Sequence, residues 1–280
     1  MRAEFAFLKH KVVIVSGVKQ SIRRSALTQG FAGALLFLCA GWANATVFLD
    51  EHFDTYADQT AFQAVWAPSG ASTTLSTDQS VSPSKSAEGL LTATRNIRTF
   101  GEVGFLNAST DVVIFRVNFY DSAGSASAYR QNVELTDTAA PSASGQIFGL
   151  GLNNNIASTK YMARIQGGDG GAGVNAYFKL DGALSPNRST GWHTLEADIT
   201  DTSVSYYVDT ILSKTVDITA VTDRSLDSIR LGSALSSTSV AYYDDVHVER
   251  IAVPEPSAIA LSLLGGLGLA VGSISRRRKA

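Results

Sequence analysis

Cysteine is almost missing from this 280-residue chain: Cys39 stands alone, inside an apolar run near the start. If that run is removed, no thiol remains, which excludes disulfides, zinc-thiolate sites and cysteine nucleophiles. Histidine is scarce too. Only His52, His193 and His247 follow residue 45, and no Gly-x-Ser-x-Gly elbow accompanies them, so the usual signature of serine catalysis is absent. The glycine run of residues 167–173, GGDGGAG, lacks the lysine and the strand-helix context of a phosphate loop. Positive charge is sparse where it would matter for nucleic acid: residues 46–252 carry 13 Lys/Arg against 23 Asp/Glu, or -10. Such a segment repels phosphate backbones, and nucleic acid is excluded as a partner. At 45% apolar and 17% charged, the chain still has ample material for a packed core.

Both ends differ from the middle. Residues 1–45 hold six Lys/Arg against one Glu, and after Arg23-Arg24 the stretch Gly30 to Ala40, GFAGALLFLCA, has no charge. Together with the small residues of Ala43-Asn44-Ala45, this is a secretory signal peptide with cleavage expected after Ala45. Residues 253–280 open with Pro254-Glu255-Pro256, which holds the chain extended. They continue with 17 uncharged residues from Ala258 to Ile274 and end on Arg276, Arg277, Arg278 and Lys279. The uncharged stretch is at the lower limit for a transmembrane helix, and the basic cluster places its end in the cytoplasm.

This three-part tail resembles the PEP-CTERM sorting signal of Gram-negative bacteria. The resemblance implies cleavage by the membrane-embedded transpeptidase exosortase, a transient anchorage in the inner membrane, and delivery to the cell surface or an extracellular matrix. An ordinary single-pass anchor is the alternative.

Between the signals, residues 46–252 alternate apolar and polar side chains with a period of two. DVVIFRVNFYD (111–121) places Val113, Phe115, Val117 and Phe119 on one face; HTLEADIT and SVSYYVD do the same with Leu195, Ala197 and Ile199 and with Val204, Tyr206 and Val208. Further strands are read at 146–152, 160–166, 174–180, 228–233 and 242–251, with Asp181-Gly182 as a hairpin signal and one short helix around 58–66. Roughly a dozen strands and no fixed repeat predict an all-β, antiparallel two-sheet sandwich. The segments GWHTLEADITDTSVSYYVD, AYYDDVHVERI and FLDEHFDTYAD resemble the paired, last and first strands of concanavalin A-like and laminin-G-like domains, which implies a jelly roll.

Alternation in the last strand puts Tyr242, Asp244, Val246 and Val248 on one face and Tyr243, Asp245, His247 and Glu249 on the other, with Asp244 toward the core. The jelly-roll resemblance implies a structural calcium held by Asp50, Glu51 or Asp54 with Asp244; the other reading of Asp244 is a rim carboxylate bonded to loop amides. Asp245, His247 and Glu249 could form a metal or acid-base trio or a solvated strand face. Trp66, Trp192 and the tyrosines could stack on sugars or fill the core. No Glu-x-Asp-x-x-Glu arrangement of a glucanase is present, and no catalytic residue is assigned. The expected function is non-enzymatic: adhesion or weak binding of extracellular polysaccharide. A glycan hydrolase or lyase and a purely structural matrix protein are the alternatives.

Overall fold

Two-residue alternation can bury only one face of each strand, so the strands must stack two sheets against each other. The computed structural model, which describes residues 44–101, 103, 111–124, 130–137, 146–167, 175–219, 226–237 and 239–252, does this. The expected flanking helices, Ala43 and the sorting residues Pro254, Glu255 and Pro256 lie outside the described residues, among which no helix is long and apolar enough to cross a membrane.

In chain order the elements are β1 (Asn44–Glu51), α1 (Gln59–Val65), β2 (Ala67–Pro68), β3 (Thr74–Ser76), β4 (Ser86–Gly89) and β5 (Asn96–Thr99). The centre of the chain gives β6 (Val112–Asp121), β7 (Arg130–Thr136), β8 (Ile147–Asn153), β9 (Met162–Gln166) and β10 (Asn175–Lys179). The remainder is β11 (Gly191–Ile199), β12 (Ser203–Val208), β13 (Ile211–Asp217), β14 (Ser228–Leu231) and β15 (Ala241–Ala252). One sheet runs β13-β12-β11-β6-β15-β4-β3 with β1 also on β15; the other runs β10-β9-β8-β7-β14-β5-β2. Every pairing between these strands is antiparallel. The fold is the expected two-sheet jelly-roll sandwich.

The core lies between the sheets. Val113, Phe115, Val117 and Phe119 of β6 and Leu195, Ala197 and Ile199 of β11 are wholly buried, as are Val133 and Leu135 of β7 and Leu150 and Leu152 of β8. One polar side chain crosses this layer: Gln131 of β7 accepts from the Tyr243 hydroxyl at 2.9 Å and donates to the carbonyls of Gly89 and Leu90. The short helix begins where expected, because the Asp58 carboxylate accepts from the Ala61 amide and caps it. Phe62 and Trp66 then pack with Phe53 and Tyr56 around the buried Glu51 carboxylate. Trp66 is therefore core and cannot stack on a ligand.

Two sequence readings are corrected. The face assignment of the last strand fails at a β-bulge: Asp244 pairs with Asn118, but the next regular partner, Arg116, faces His247, and Asp245 has a φ of 46°. One extra residue flips the pattern. Tyr243 thus joins Val246 and Val248 in the core cluster, while Tyr242 sits across from Tyr120, away from them. Asp181-Gly182 is not a hairpin turn either, since β10 and β11 belong to different sheets. Glycine is needed there for another reason: its amide donates to the Ser213 carbonyl at 2.7 Å, and a Cβ would lie 2.8 Å from that oxygen. The tight turn is at Asp209-Thr210, both with positive φ, joining β12 to β13.

One end of the sandwich is clamped by a fully buried ion pair. Asp121, at the end of β6, accepts from Arg188 Nε at 2.9 Å and from the Ala123 and Gly124 amides. Arg188 also reaches Asn154 and the Ser158 carbonyl, in the loop after β8 of the opposite sheet. Removing one partner leaves the other charge buried, a loss of about 3 to 5 kcal/mol. Arg188→Met is expected to lower unfolding stability by that amount in urea titration; a change below about 1 kcal/mol would show that the clamp contributes little.

Candidate functional site

The four carboxylates named for calcium each have their own protein donors. Glu51 accepts from the Tyr56 hydroxyl (2.6 Å), the Phe53 amide (2.8 Å) and Trp66 Nε1 (3.1 Å), and pairs with Arg98. Asp54 accepts from the Ser84 hydroxyl and the Lys85 amide. Asp244, fully buried, accepts from the Val81 and Ser82 amides, the Ser82 hydroxyl and the Asp245 amide. Burial lifts its carboxyl above the usual carboxylate range, and the amides of Val81 and Asp245 pull it back. Asp50 turns instead to His247 at 3.0 Å and His52 at 3.5 Å. Among the described residues, no group of three or more His, Cys, Asp or Glu side chains is arranged to hold a metal ion.

Asp245, His247 and Glu249 belong to a wider surface network. His52 Nδ1 meets Asp245 at 2.5 Å, Asn118 donates to the other Asp245 oxygen at 2.7 Å, and Thr194 donates to Asn118. His247 lies 3.7 Å from Glu249. The network ties the loop after β1 to the bulge in β15. Nearby, Trp192, Tyr120 and Tyr242 form a cross-strand row, with rings turned edge-to-face at 5.3 and 5.7 Å.

His193 connects Ser189 to Asp209: its Nε2 is 3.0 Å from the Ser189 hydroxyl, and its Nδ1 is 2.8 Å from the Asp209 carboxylate. The order is that of a serine relay, but Nε2 is equally close, 3.0 Å, to the Ser189 carbonyl. Facing a carboxylate that only accepts, Nδ1 carries the proton of the neutral ring, so Nε2 accepts from the Ser189 hydroxyl; in the imidazolium it donates to the Ser189 carbonyl instead. The arrangement fastens the loop before β11 to the β12–β13 turn.

The open site is on the other sheet. In β8, Phe148, Leu150 and Leu152 point into the core, so the intervening Gly149 and Gly151 take the outer face and leave it without side chains. Their neighbours across the ladders are Glu134 and Asn132 on β7 and Arg164 and Met162 on β9. Tyr177 of β10 lies beyond Arg164, and Arg230 of β14 beyond Glu134. Beside this strip lies a groove of about 290 Å³, lined by Arg95, Arg130, Asn132, Glu134, Arg164 and Tyr177, with Leu235 on its rim. Gly151 could not be replaced: its φ is +146° and a Cβ would meet the Gln131 carbonyl at 2.2 Å.

Glu134 is the one carboxylate in the lining and is only 1% exposed. Its Oε1 accepts from Asn132 (2.8 Å) and Arg164 (3.0 Å), while Oε2 has no partner among the described residues. Asn132 Oδ1 and the Nε atoms of Arg95, Arg164 and Arg230 are likewise unpaired. Arg164 donates to Gln166 at 2.6 Å and lies over the Tyr177 ring, 5.3 Å from its centroid. Burial pulls the Arg230 guanidinium below its usual range; Glu134 opposes this, and the charges of Arg95 and Arg164 add to it. So many unpaired buried polar atoms in one place are what a polar ligand would satisfy. The sequence carries a trace of the strip beside the groove: glycines at alternate positions in an apolar strand mark a place of close approach, here by the β7 backbone at Gly151.

No family model and no curated protein matches this chain. Solved structures do. A carbohydrate esterase from Shiga toxin-encoding bacteriophage phi24B superposes with a TM-score of 0.51 and 12% identity, over 74% of this chain and 99% of the other. A cellulose-induced protein gives a TM-score of 0.47 and 15% identity, over 71% and 96%. The botulinum neurotoxin serotype D binding domain gives 0.43 and 11%, over 80% of this chain but 47% of that one, so the chain spans about half the length of that domain. At these identities the likeness extends to the fold alone, a jelly-roll sandwich.

The His52 contact makes a pH prediction. Its imidazole is held above its usual value first by the bond to Asp245 and then by the charges of Asp245 and Asp50, against burial. A raised histidine adds stability that is fully present below the unfolded value of about 6.5 and disappears as pH rises through the folded value. His52→Gln is therefore expected to cost about 0.5 kcal/mol at pH ~5.5, as for an exposed pair, and nothing at pH ~8.5. Equal losses at both pH values in urea unfolding would contradict this.

Proposed function

We propose that the protein is exported, processed by exosortase and delivered to the cell surface or extracellular matrix, where it binds polysaccharide weakly without catalysing a reaction. What carries the binding part is the groove beside β8: about 290 Å³ of space, one aromatic face at Tyr177, and unpaired hydrogen-bonding atoms on Asn132, Glu134 and the arginines. Planar polar side chains beside an aromatic ring suit a ligand with hydroxyls at its edges and C–H bonds on its faces. Hydrolysis by the usual route needs two carboxylates about 5 to 9 Å apart, and the groove lining offers Glu134 alone. The export part rests on the signal peptide and on Pro254-Glu255-Pro256 with the apolar and basic segments after it.

Binding is checked by titrating the full chain, in detergent, against immobilised neutral and uronate-containing polysaccharides. Tyr177, 38% exposed, can be changed without touching the core. Tyr177→Ala is expected to weaken retention about tenfold, the ~1.4 kcal/mol of one aromatic face. Unchanged retention would remove the groove from the account, and release of reducing ends or unsaturated sugars would replace binding with hydrolysis or lysis. Processing has its own readout. An epitope tag placed after Ala280 should be missing from the surface-delivered protein and kept when Pro254, Glu255 and Pro256 are all changed to alanine; a tag retained in both cases would favour a plain membrane anchor.

A further inference from the structure

We infer that the groove of the seven-stranded sheet is built for a carboxylate-bearing polysaccharide, one containing uronic acid residues; this rests on the reading of the groove as a glycan site. Charge is the first reason. Residues 46–252 have ten more acidic than basic side chains, yet three of their 13 basic residues, Arg95, Arg130 and Arg164, line this groove against the single acid Glu134. Arg230, directly across the ladder from Glu134, adds a fourth guanidinium to the same face. Positive charge is thus gathered here against the trend of the whole domain.

Glu134 does not neutralise this cluster. Its Oε1 is already shared between Arg164 and Asn132, and Arg230 stays below its usual range, first through burial and then through the charges of Arg95 and Arg164, against the pull of Glu134 and Asp227. Four guanidiniums around one carboxylate are costly in a half-buried site, and an arriving anion relieves that cost. All four are arginine rather than lysine. Guanidinium presents a flat fork that matches a carboxylate in two parallel bonds.

The unpaired atoms narrow the ligand further. The Nε groups of Arg95, Arg164 and Arg230 need acceptors, whereas Glu134 Oε2 and Asn132 Oδ1 need donors. A simple inorganic anion supplies acceptors only, and it would leave Glu134 Oε2 unpaired and repelled. A neutral sugar supplies hydroxyl donors but no charge for the arginines. A uronate supplies both at once: carboxylate oxygens for the guanidiniums and ring hydroxyls for Glu134 and Asn132. The groove, about 290 Å³, has room for its ring, and Tyr177 can cover one face of a neighbouring unit.

The test uses the full chain in detergent and oligogalacturonate as the probe, compared by calorimetry with the same oligosaccharide after methyl esterification. The acid form should bind at least about tenfold more tightly, with the advantage shrinking as NaCl rises from about 50 to about 500 mM. Arg130→Gln and Arg95→Gln, both at partly exposed side chains, should each weaken binding of the acid form about threefold or more and leave the ester unaffected. Arg116→Gln, on the outer face of the other sheet, should change neither. Melting curves of the variants report whether they are folded. Equal affinity for acid and ester overturns the charge inference and leaves the polysaccharide reading standing. Binding of neither form, nor of any neutral glycan, sinks the reading beneath it. Dextran sulfate bound as tightly as oligogalacturonate would overturn the choice of carboxylate over sulfate.

Discussion

The eight-stranded sheet is organised around one strand whose free edge is shared by two others, and a buried carboxylate makes the sharing workable. The N-terminal part of β15, Ala241 to Tyr243, pairs with β4, while Val246 to Ala252 pair with β1. Asp244 and Asp245 lie at the changeover, where neither neighbour can continue the ladder. There the Asp244 side chain takes the amides of Val81, Ser82 and Asp245 that would otherwise have no acceptor. The carboxylate therefore replaces strand pairing at the gap. β6, on the opposite side of β15, pairs on both sides of the bulge and keeps Phe119 against Tyr243 and Phe115 against Val248.

Much of the architecture could be read from alternation alone. β6, β11, β12 and β15 have long, regular patterns, and each formed within a few residues of its expected place. The helix was legible because Asp58 supplies a cap and Phe62 and Trp66 recur at helical spacing. What failed did so where the period of two was broken or masked. β7 was missed because Gln131, Asn132 and Glu134 are polar and nonetheless buried, so RQNVELT does not read as a half-dry strand. β13 was missed for the opposite reason: Ile211 and Leu212 are exposed, and the pattern has no dry face. The bulge at Asp245 carries no compositional mark, and a one-residue slip exchanges the two faces beyond it.

Legibility of the site was poorer than that of the fold. The residues that looked chemical, Asp50, Glu51, Asp54 and Asp244, are occupied with structural bonds at the loops around β1 and β15. The groove depends on Arg95, Arg130, Asn132, Glu134, Arg164 and Tyr177, which come from four separate stretches and form no local motif. Only folding brings them to one face. Their common feature is a cost: polar atoms left unpaired and like charges held close, which a packed sandwich would avoid if the face had no other task.

The pairing of Asn44 with Ala252 has a topological consequence. The chain enters and leaves the sandwich at neighbouring points, one strand spacing or about 5 Å apart. Such a module behaves as a cassette: it can be spliced into an exposed loop of a host protein, or have its ends joined and be reopened elsewhere, with little disturbance to either partner.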